Sequence, residues 1–362
     1  MPSKRFKSCV LHIGTEKTGS TAIQHYLIEN RNRLSKHGVL FPIAESATHT
    51  SQWEFVAIAH QKPWIQDVGR ELEITNAEQQ ARFKQELEAK LDAEFRTISA
   101  DTLLISSEHF QSRLSQVEEI ETLKKYLERW TDDFKIVVYF RRQDELALSL
   151  LSTRIKSSAP IDVENILSTM KKSPRYYAYD EIFERWATVF GLSSMVPRIY
   201  EEARWPGGDL IADFCEAASI PVLPHVNKRY NLSLNRKGFH FIHSLNKQFA
   251  ERKDRASQKE RLRLVRVISD RHAGKYYPIS RQQAESFYQS FTQTNQRLQR
   301  LAFANQSAPL FSEDFSMYPT DAEPSFSSYD EAVELAVELW NSDTSEPEKR
   351  FWQKLSDKFL RR

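Results

Sequence analysis

The sequence predicts an α/β protein with a central parallel β-sheet flanked by helices and a mainly helical C-terminal region. Continuous apolar runs at residues 9–13, 102–107 and 134–140 are typical of parallel strands that helices cover on both faces. Segments with helical periodicity separate these runs, and such alternation indicates βαβ units. Beyond Pro224 the helical patterns continue with no strand pattern between them.

The first half of the chain alternates strand and helix patterns. The strand at residues 9–13 leads into a helix whose apolar side chains recur at helical spacing. A short strand at 38–42 ends at Pro42, and a loop and helix at 44–65 are expected near the mouth of a site. Further elements of this half are predicted as helices at 77–95, 118–130 and 145–155 and strands at 102–107 and 134–140.

The second half begins with a polar segment at 157–174, which we interpret as a flap. A helix at 180–190 and a strand at 195–200 continue the alternation, and Asp209 is expected to cap the next helix, which runs to 217. Helices are then predicted at 236–247, 258–270, 281–301 and about 329–340.

Length and composition describe an ordinary globular protein. The 362 residues predict an α/β core at 1–225 and a helical extension at 226–362 that packs on it, together forming one domain. The net charge of +2 gives no general attraction to nucleic acid. Two cysteines, Cys9 and Cys215, exclude a disulfide framework and are expected to be buried thiols. We expect a cytoplasmic protein, because no apolar run matches a signal peptide or a transmembrane segment.

The first motif is the loop between the first strand and the first helix, at residues 14–21. A strand, a tight loop and a helix point backbone N–H groups at an anion, and Lys17 adds a positive charge. Gly14 and Gly19 have Walker A spacing, so the sheet is predicted to be P-loop-like, but the lysine lies two residues before Gly19 instead of after it. The simpler alternative is an exposed lysine at an ordinary helix start.

The second motif follows the strand at 134–140. Arg141 comes directly after that strand, and Ser149 lies eight residues later on a predicted helix. A planar guanidinium and a neutral hydroxyl at this spacing can bind one phosphate.

Together the two motifs resemble sulfotransferases that use 3′-phosphoadenosine 5′-phosphosulfate (PAPS), in particular the bacterial carbohydrate or polysaccharide type. The resemblance implies that Arg141 and Ser149 bind the 3′-phosphate and that PAPS is converted to 3′-phosphoadenosine 5′-phosphate (PAP). It implies a carbohydrate or glycolipid acceptor and no metal. The residues implied to bind the 5′-phosphosulfate are Lys17, Thr18, Gly19, Ser20 and Thr21.

A general base is needed to take the proton of the acceptor hydroxyl. Glu108 and His109 both follow the strand at 102–107, and His49 is a further alternative. We favour Glu108 because the similar bacterial and heparan-type enzymes use a carboxylate, although Glu108 could instead cap a helix. Burial should raise the pKa of Glu108, whereas Lys17 nearby should lower it.

Two features of the helical region have open interpretations. Arg236-Lys237-Gly238 resembles part of a third sulfotransferase motif, but the rest of that motif is absent, so the adenine contacts stay undefined. The basic stretch at 251–275 is interpreted as a solvated helical face, with contact to an anionic glycan as the alternative.

Two other functions are compatible with the sequence. A P-loop-type nucleotide kinase or NTPase would require Mg²⁺ and a Walker lysine, whereas residue 20 is serine. A non-catalytic glycan-binding protein on a sulfotransferase scaffold would bind PAPS without turnover, or would not bind it.

Overall fold

The computed structural model describes residues 4–43, 51–61, 73–157, 166–171, 176–226, 233–252, 254–321, 329–331 and 333–339. The chain forms two compact units. The first comprises Met1–Gln143, Ser173–Tyr230 and Tyr288–Glu313, and the second comprises Asp144–Lys172, Asn231–Phe287 and Asp314–Arg362. Each unit is therefore assembled from separate stretches of sequence. The division at residue 225 stays a prediction about domain organisation.

The first unit contains a five-stranded sheet in which all pairings are parallel, in the order β2-β3-β1-β4-β5. The strands are β1 (Ser8–His12), β2 (Val39–Leu40), β3 (Thr102–Ser106), β4 (Phe134–Phe140) and β5 (Met195–Ile199). The predicted central parallel sheet is thus confirmed.

Helices account for most of the remaining structure, which confirms the predicted helical flanks. In chain order they are α1 (Ser20–Glu29), α2 (Arg31–Lys36), α3 (Glu54–Ala59), α4 (Ala77–Thr97), α5 (His109–Arg113), α6 (Val117–Leu127), α7 (Gln143–Lys156), α8 (Ile166–Lys171), α9 (Tyr179–Phe190), α10 (Leu210–Ala218), α11 (Arg236–Phe249), α12 (Arg255–Arg271), α13 (Arg281–Gln289) and α14 (Thr292–Ala302). Residues 329–331 and 333–339 are also helical.

The sheet is buried because its central strands are apolar on both faces. All but one residue of β4, and all but the first of β1 and β3, are buried. The edge strand β5 buries only its two ends, Met195 and Ile199. β2 is shorter than predicted, and Pro42, which follows two residues later, has no N–H to extend the ladder. Cys9 and Cys215 are buried free thiols, as predicted.

The structure contains two helix breaks at which a polar side chain binds the backbone. The prediction of one continuous helix at 281–301 is wrong, because α13 ends at Gln289 and α14 starts at Thr292. The Thr292 hydroxyl donates to the Gln289 carbonyl at 2.7 Å. Asn30 similarly separates α1 from α2, and its side-chain amide donates to the Tyr26 carbonyl at 3.2 Å. Such local bonds compete with continued helix geometry.

The start of α10 agrees with the sequence prediction. Asp209 Oδ1 accepts from the Ile211 N–H at 2.8 Å, which confirms the predicted cap of α10.

The basic stretch at 251–275, interpreted from the sequence as a solvated helical face, contains one buried residue, Arg261, which is only 2% exposed. The Arg261 guanidinium donates to Asn246 Oδ1 at 2.9 Å and to the Lys156 carbonyl at 2.7 Å, so this residue serves the packing of the second unit.

Candidate active site

The predicted site residues of the first unit follow three neighbouring strands. β1 lies between β3 and β4, with His12 paired to Ser106 on one side and to Val137 on the other. All three strands are parallel, so their carboxyl ends meet at one edge of the sheet. The strand order also reverses at β1, and ligands bind at such switch points in open α/β sheets.

The loop after β1 has a backbone that is fixed from within. Gly14, Lys17 and Gly19 all have positive φ, at 63°, 68° and 79°. The Thr15 hydroxyl donates to the Tyr139 carbonyl at 2.8 Å, which ties the loop to β4. The Thr18 hydroxyl donates to the Thr15 carbonyl at 2.6 Å. These bonds hold the loop in a tight turn that ends at the start of α1.

The N–H groups of residues 16–19 donate to no other group within the described part of the chain. The hydroxyl of Ser20, the first residue of α1, is buried and has no partner there either. Unpaired donors at a helix N-terminus attract an anion, because the helix dipole also places positive charge there. The loop therefore has the donors that a phosphate or sulfate group requires.

Lys17 is half-buried in this loop, and no carboxylate among the described residues lies within ion-pair distance of its ammonium. Arg141 is held against the same loop, since its Nη1 donates to the Lys17 carbonyl at 3.1 Å. The Arg141 guanidinium also lies over the Tyr200 ring, 5.2 Å from the centroid. The Tyr179 hydroxyl donates to the Arg141 carbonyl at 2.6 Å and fixes the backbone at the end of β4.

Glu108 lies between β3 and α5 and packs directly against Gly14. A Cβ on Gly14 would be 2.8 Å from Glu108 Cα and 2.9 Å from Glu108 Cβ, so only glycine permits this approach. The Glu108 side chain makes no N-cap bond to α5, although a helix cap was the alternative interpretation. Instead, Glu108 Oε2 accepts from Gln24 Nε2 at 2.7 Å and from the Ser51 hydroxyl at 3.4 Å.

Several groups determine the ionisation of Glu108. Burial raises its pKa, but the charge of His109, hydrogen bonds from its own N–H and from Gln24, and the charge of His12 together lower it below the ordinary value of 4.5. Glu108 is therefore ionised at neutral pH and can accept a proton. Lys17, which we expected to lower this pKa, is not among the largest causes of the shift.

Of the two histidine alternatives, the structure describes His109 but not His49. His109 begins α5, its N–H donates to Ser107 Oγ at 3.3 Å, and its buried Nδ1 has no partner in the described structure. His49 lies outside the described residues. Glu108 and His109 thus both stay candidates for the base.

Sequence reasoning missed two residues next to Glu108. Gln24 is buried on α1, where it follows the loop by one helical turn and reaches the carboxylate. His12 ends β1, is fully buried and has a pKa lowered by burial to about 4, so it is neutral at physiological pH. Its Nδ1 lies 2.8 Å from Ser106 Oγ. The only sequence signal for either was its position beside the loop motif.

Two other predicted residues lie in the second unit. Ser149 is half-buried on α7, so its pairing with Arg141 of the first unit stays a prediction. Arg236 begins α11 and forms an ion pair with Glu331. Within the described ranges no group of three or more His, Cys, Asp or Glu side chains is arranged to hold a metal ion, and no helix is long and apolar enough to cross a membrane.

The chain is similar to proteins of two kinds, a curated protein and solved structures, and no family model matches it. An uncharacterized protein of Archaeoglobus fulgidus is 26% identical over 216 residues, which are 59% of this chain and 56% of that protein. The chain thus spans little more than half the length of this relative. The crystal structure of a sulfotransferase from Alicyclobacillus acidocaldarius matches 69% of this chain and 98% of its own, at 15% identity and a TM-score of 0.37.

Proposed function

We propose that the protein is a sulfotransferase that transfers a sulfuryl group from PAPS to a hydroxyl of a carbohydrate or glycolipid. The observation that carries this proposal is the loop at residues 14–21: unpaired N–H donors and the Lys17 ammonium lie at the sheet edge where Glu108 packs on Gly14. An anion site and a carboxylate base are the two parts that transfer to a hydroxyl requires. The acceptor class rests on the sequence resemblance.

The loop residues fit the phosphosulfate end of the donor. Lys17, the N–H groups of residues 16–19 and the unpaired Ser20 hydroxyl would hold it, because they supply a cation and neutral donors, while the Glu16 carboxylate of the same loop lies 3.4 Å from Arg113 Nη1. Arg141, at the end of β4, would bind the 3′-phosphate together with Ser149. PAPS would supply a sulfuryl group already activated by its phosphate leaving group.

Glu108, Lys17 and the loop N–H groups would then act on the bound reactants through their charges and their positions. Glu108 accepts the proton of the acceptor hydroxyl as the new oxygen–sulfur bond forms. Lys17 and the loop N–H groups stabilise the negative charge that develops on the leaving phosphate oxygen as the old bond breaks. Positioning and electrostatics supply the acceleration, and the balance of the reaction needs no oxidant and no metal.

The direct test is transfer of ³⁵S-labelled sulfate from PAPS to a panel of bacterial surface glycans and lipids. Transfer that requires the protein would support the proposal, and the labelled product would identify the acceptor class. Absence of both transfer and PAP binding would overturn it. Mg²⁺-dependent ATP hydrolysis would instead support the nucleotide-hydrolase alternative, and PAP binding without transfer to any acceptor would support the non-catalytic one.

Calorimetry tests the 3′-phosphate assignment separately. PAP should bind more tightly than adenosine 5′-phosphate by about 1.5–3 kcal/mol, the range of hydrogen bonds to charged groups. Arg141→Met should remove most of this difference, and Ser149→Ala should remove a smaller part. Equal affinity of the unmodified protein for the two nucleotides would show that Arg141 and Ser149 do not bind a 3′-phosphate.

A further inference from the structure

Gln24 connects the helix that follows the anion loop to the carboxylate proposed as the base. We infer that Gln24 is a positioning residue that holds one oxygen of Glu108 and directs the other toward the acceptor hydroxyl. This inference rests on the proposed function, because it assigns Gln24 a part in proton transfer from the acceptor.

The geometry of Gln24 fits this role. Its side chain is 2% exposed, and its Nε2 donates to Glu108 Oε2 at 2.7 Å. A buried amide that donates to a carboxylate is a charge-assisted bond, which is stronger and more directional than a neutral one. Gln24 lies on α1, whose first residue closes the anion loop, so one rigid element sets the positions of both the loop and the carboxylate.

The two oxygens of Glu108 have different surroundings. Oε2 accepts from Gln24 and, at 3.4 Å, from Ser51, whose hydroxyl also lies 2.9 Å from Ser107 Oγ. Oε1 accepts from no other residue in the ranges that the structure describes, and the further bond to this carboxylate comes from the N–H of Glu108 itself. A general base needs one oxygen within hydrogen-bond reach of the proton that it takes. Because Oε2 is bonded to Gln24, Oε1 is the oxygen that can take the proton of the acceptor hydroxyl.

The Gln24 bond also affects when Glu108 becomes protonated. The titratable groups that face Glu108 are His109, which follows it in the chain, and His12 on β1, and both favour the ionised carboxylate. Gln24 on α1 adds a neutral donor that favours the same form. Removal of this donor should therefore raise the pKa of Glu108. The acid limb of the pH–activity profile, where activity is lost as the base becomes protonated, should then shift to higher pH.

The experiment compares Gln24→Met and Gln24→Glu with Gln80→Met as a matched control. Met has nearly the size of Gln but cannot donate. Gln80 is a half-buried glutamine whose amide donates to the carbonyls of Ala57 and His60, far in sequence from the loop. Gln80→Met therefore reports the general cost of losing a glutamine amide.

For Gln24→Met we expect kcat to fall about 10–100-fold, the range that corresponds to one hydrogen bond to a charged group, with PAP affinity unchanged. The acid limb should move to higher pH. Gln24→Glu should move it further, because two carboxyls at this distance cannot both ionise easily. Gln80→Met should change none of these values. An unchanged acid limb in both Gln24 variants would overturn the inference.

A second measurement does not depend on turnover. In protein labelled with ¹³C at glutamate carboxyls, the Glu108 signal is the one that Glu108→Gln removes. This signal should titrate below the ordinary range of a glutamate in the unmodified protein and at higher pH in Gln24→Met. If PAPS transfer is absent but Glu108 titrates at higher pH in Gln24→Met than in the unmodified protein, the proposed function fails while the Gln24–Glu108 bond is confirmed. If transfer occurs and the two titrations coincide, the positioning role is wrong.

Discussion

Lys17 combines two unfavourable features, a left-handed backbone and, on a half-buried residue, an ammonium without a carboxylate partner in the described structure. The left-handed conformation costs a residue with a side chain on the order of 1 kcal/mol. Such conformations persist where neighbouring bonds impose them, as the bonds of Thr15, Thr18 and Arg141 do here. A charge kept in this position at a cost to stability is better explained by an anionic ligand than by a solvated surface.

This argument leads to a prediction for Lys17→Ala. Turnover with PAPS should fall by about 10²-fold or more, since one preorganised electrostatic contact contributes a few kcal/mol to the transition state. Lys36→Ala, at an exposed position on α2, is the matched control and should keep full turnover. A Lys17→Ala protein with turnover like that of the control would contradict the loop assignment.

The identity of the base can be tested through pH. A base must be deprotonated, so activity is lost as the pH falls through its pKa. The pKa of Glu108 is held below its ordinary value by the charge of His109 and the bond from Gln24, so activity that depends on it should persist well into the acid range. A histidine base with an ordinary pKa would instead lose activity near pH 6.5.

Substitution gives the matching result. Glu108→Gln should keep PAP binding and lose about 10²–10⁴-fold in transfer, the usual contribution of a general base. His109→Ala and His49→Ala should lose less. If Glu108→Gln transfers normally while His109→Ala binds PAP but is inactive, His109 is the base.

At the scale of elements, the sequence was most informative where local pattern determines structure. The central strands were predictable because their apolar runs are continuous, and the loop after β1 was predictable because its glycines and Lys17 are contiguous. Gln24 was not predictable, because a polar residue in a helix pattern usually faces solvent. Its buried amide donates to Glu108, which is 84 residues away in the chain. The break between α13 and α14 is not predictable, because apolar residues recur at helical spacing on both sides of it and no proline or glycine marks it.

The packing of Gly14 on Glu108 gives a prediction for the loop and the strand end together. Gly14→Ala should destabilise the protein and displace the turn that carries Glu108, because its Cβ would overlap backbone and side chain and its φ is positive. We expect a loss of more than about 1 kcal/mol in the free energy of unfolding, measured by denaturant titration. Gly207→Ala, where φ is also positive but nothing lies within 4 Å, is the matched control for strain without overlap. Equal losses in both variants would contradict the close-approach argument.

At the scale of the whole molecule, the two units draw on stretches far apart in sequence. The first unit takes β1 to β4 from its first stretch, β5 from its second and α14 from its third. This assembly could not be inferred from local patterns, which report periodicity and not which distant segments pack together. The loop, Glu108 and Arg141 nevertheless all belong to the first unit. A ligand of the site should therefore stabilise that unit first.

Hydrogen exchange with and without PAP tests this expectation. A ligand at about 100 times its dissociation constant stabilises the folded state by about 2.7 kcal/mol. Amides of the loop at 14–21, of α1 and of residues 107–113 should exchange more slowly with PAP, because the loop N–H groups become bonded and α1 is fixed at its N-terminus. Amides of α12, in the second unit, should not change. The same experiment on Lys17→Ala should show little protection at any of these peptides. Protection of α12 without protection of the loop would mean that PAP binds elsewhere, and that the donors at residues 16–19 serve some other anion.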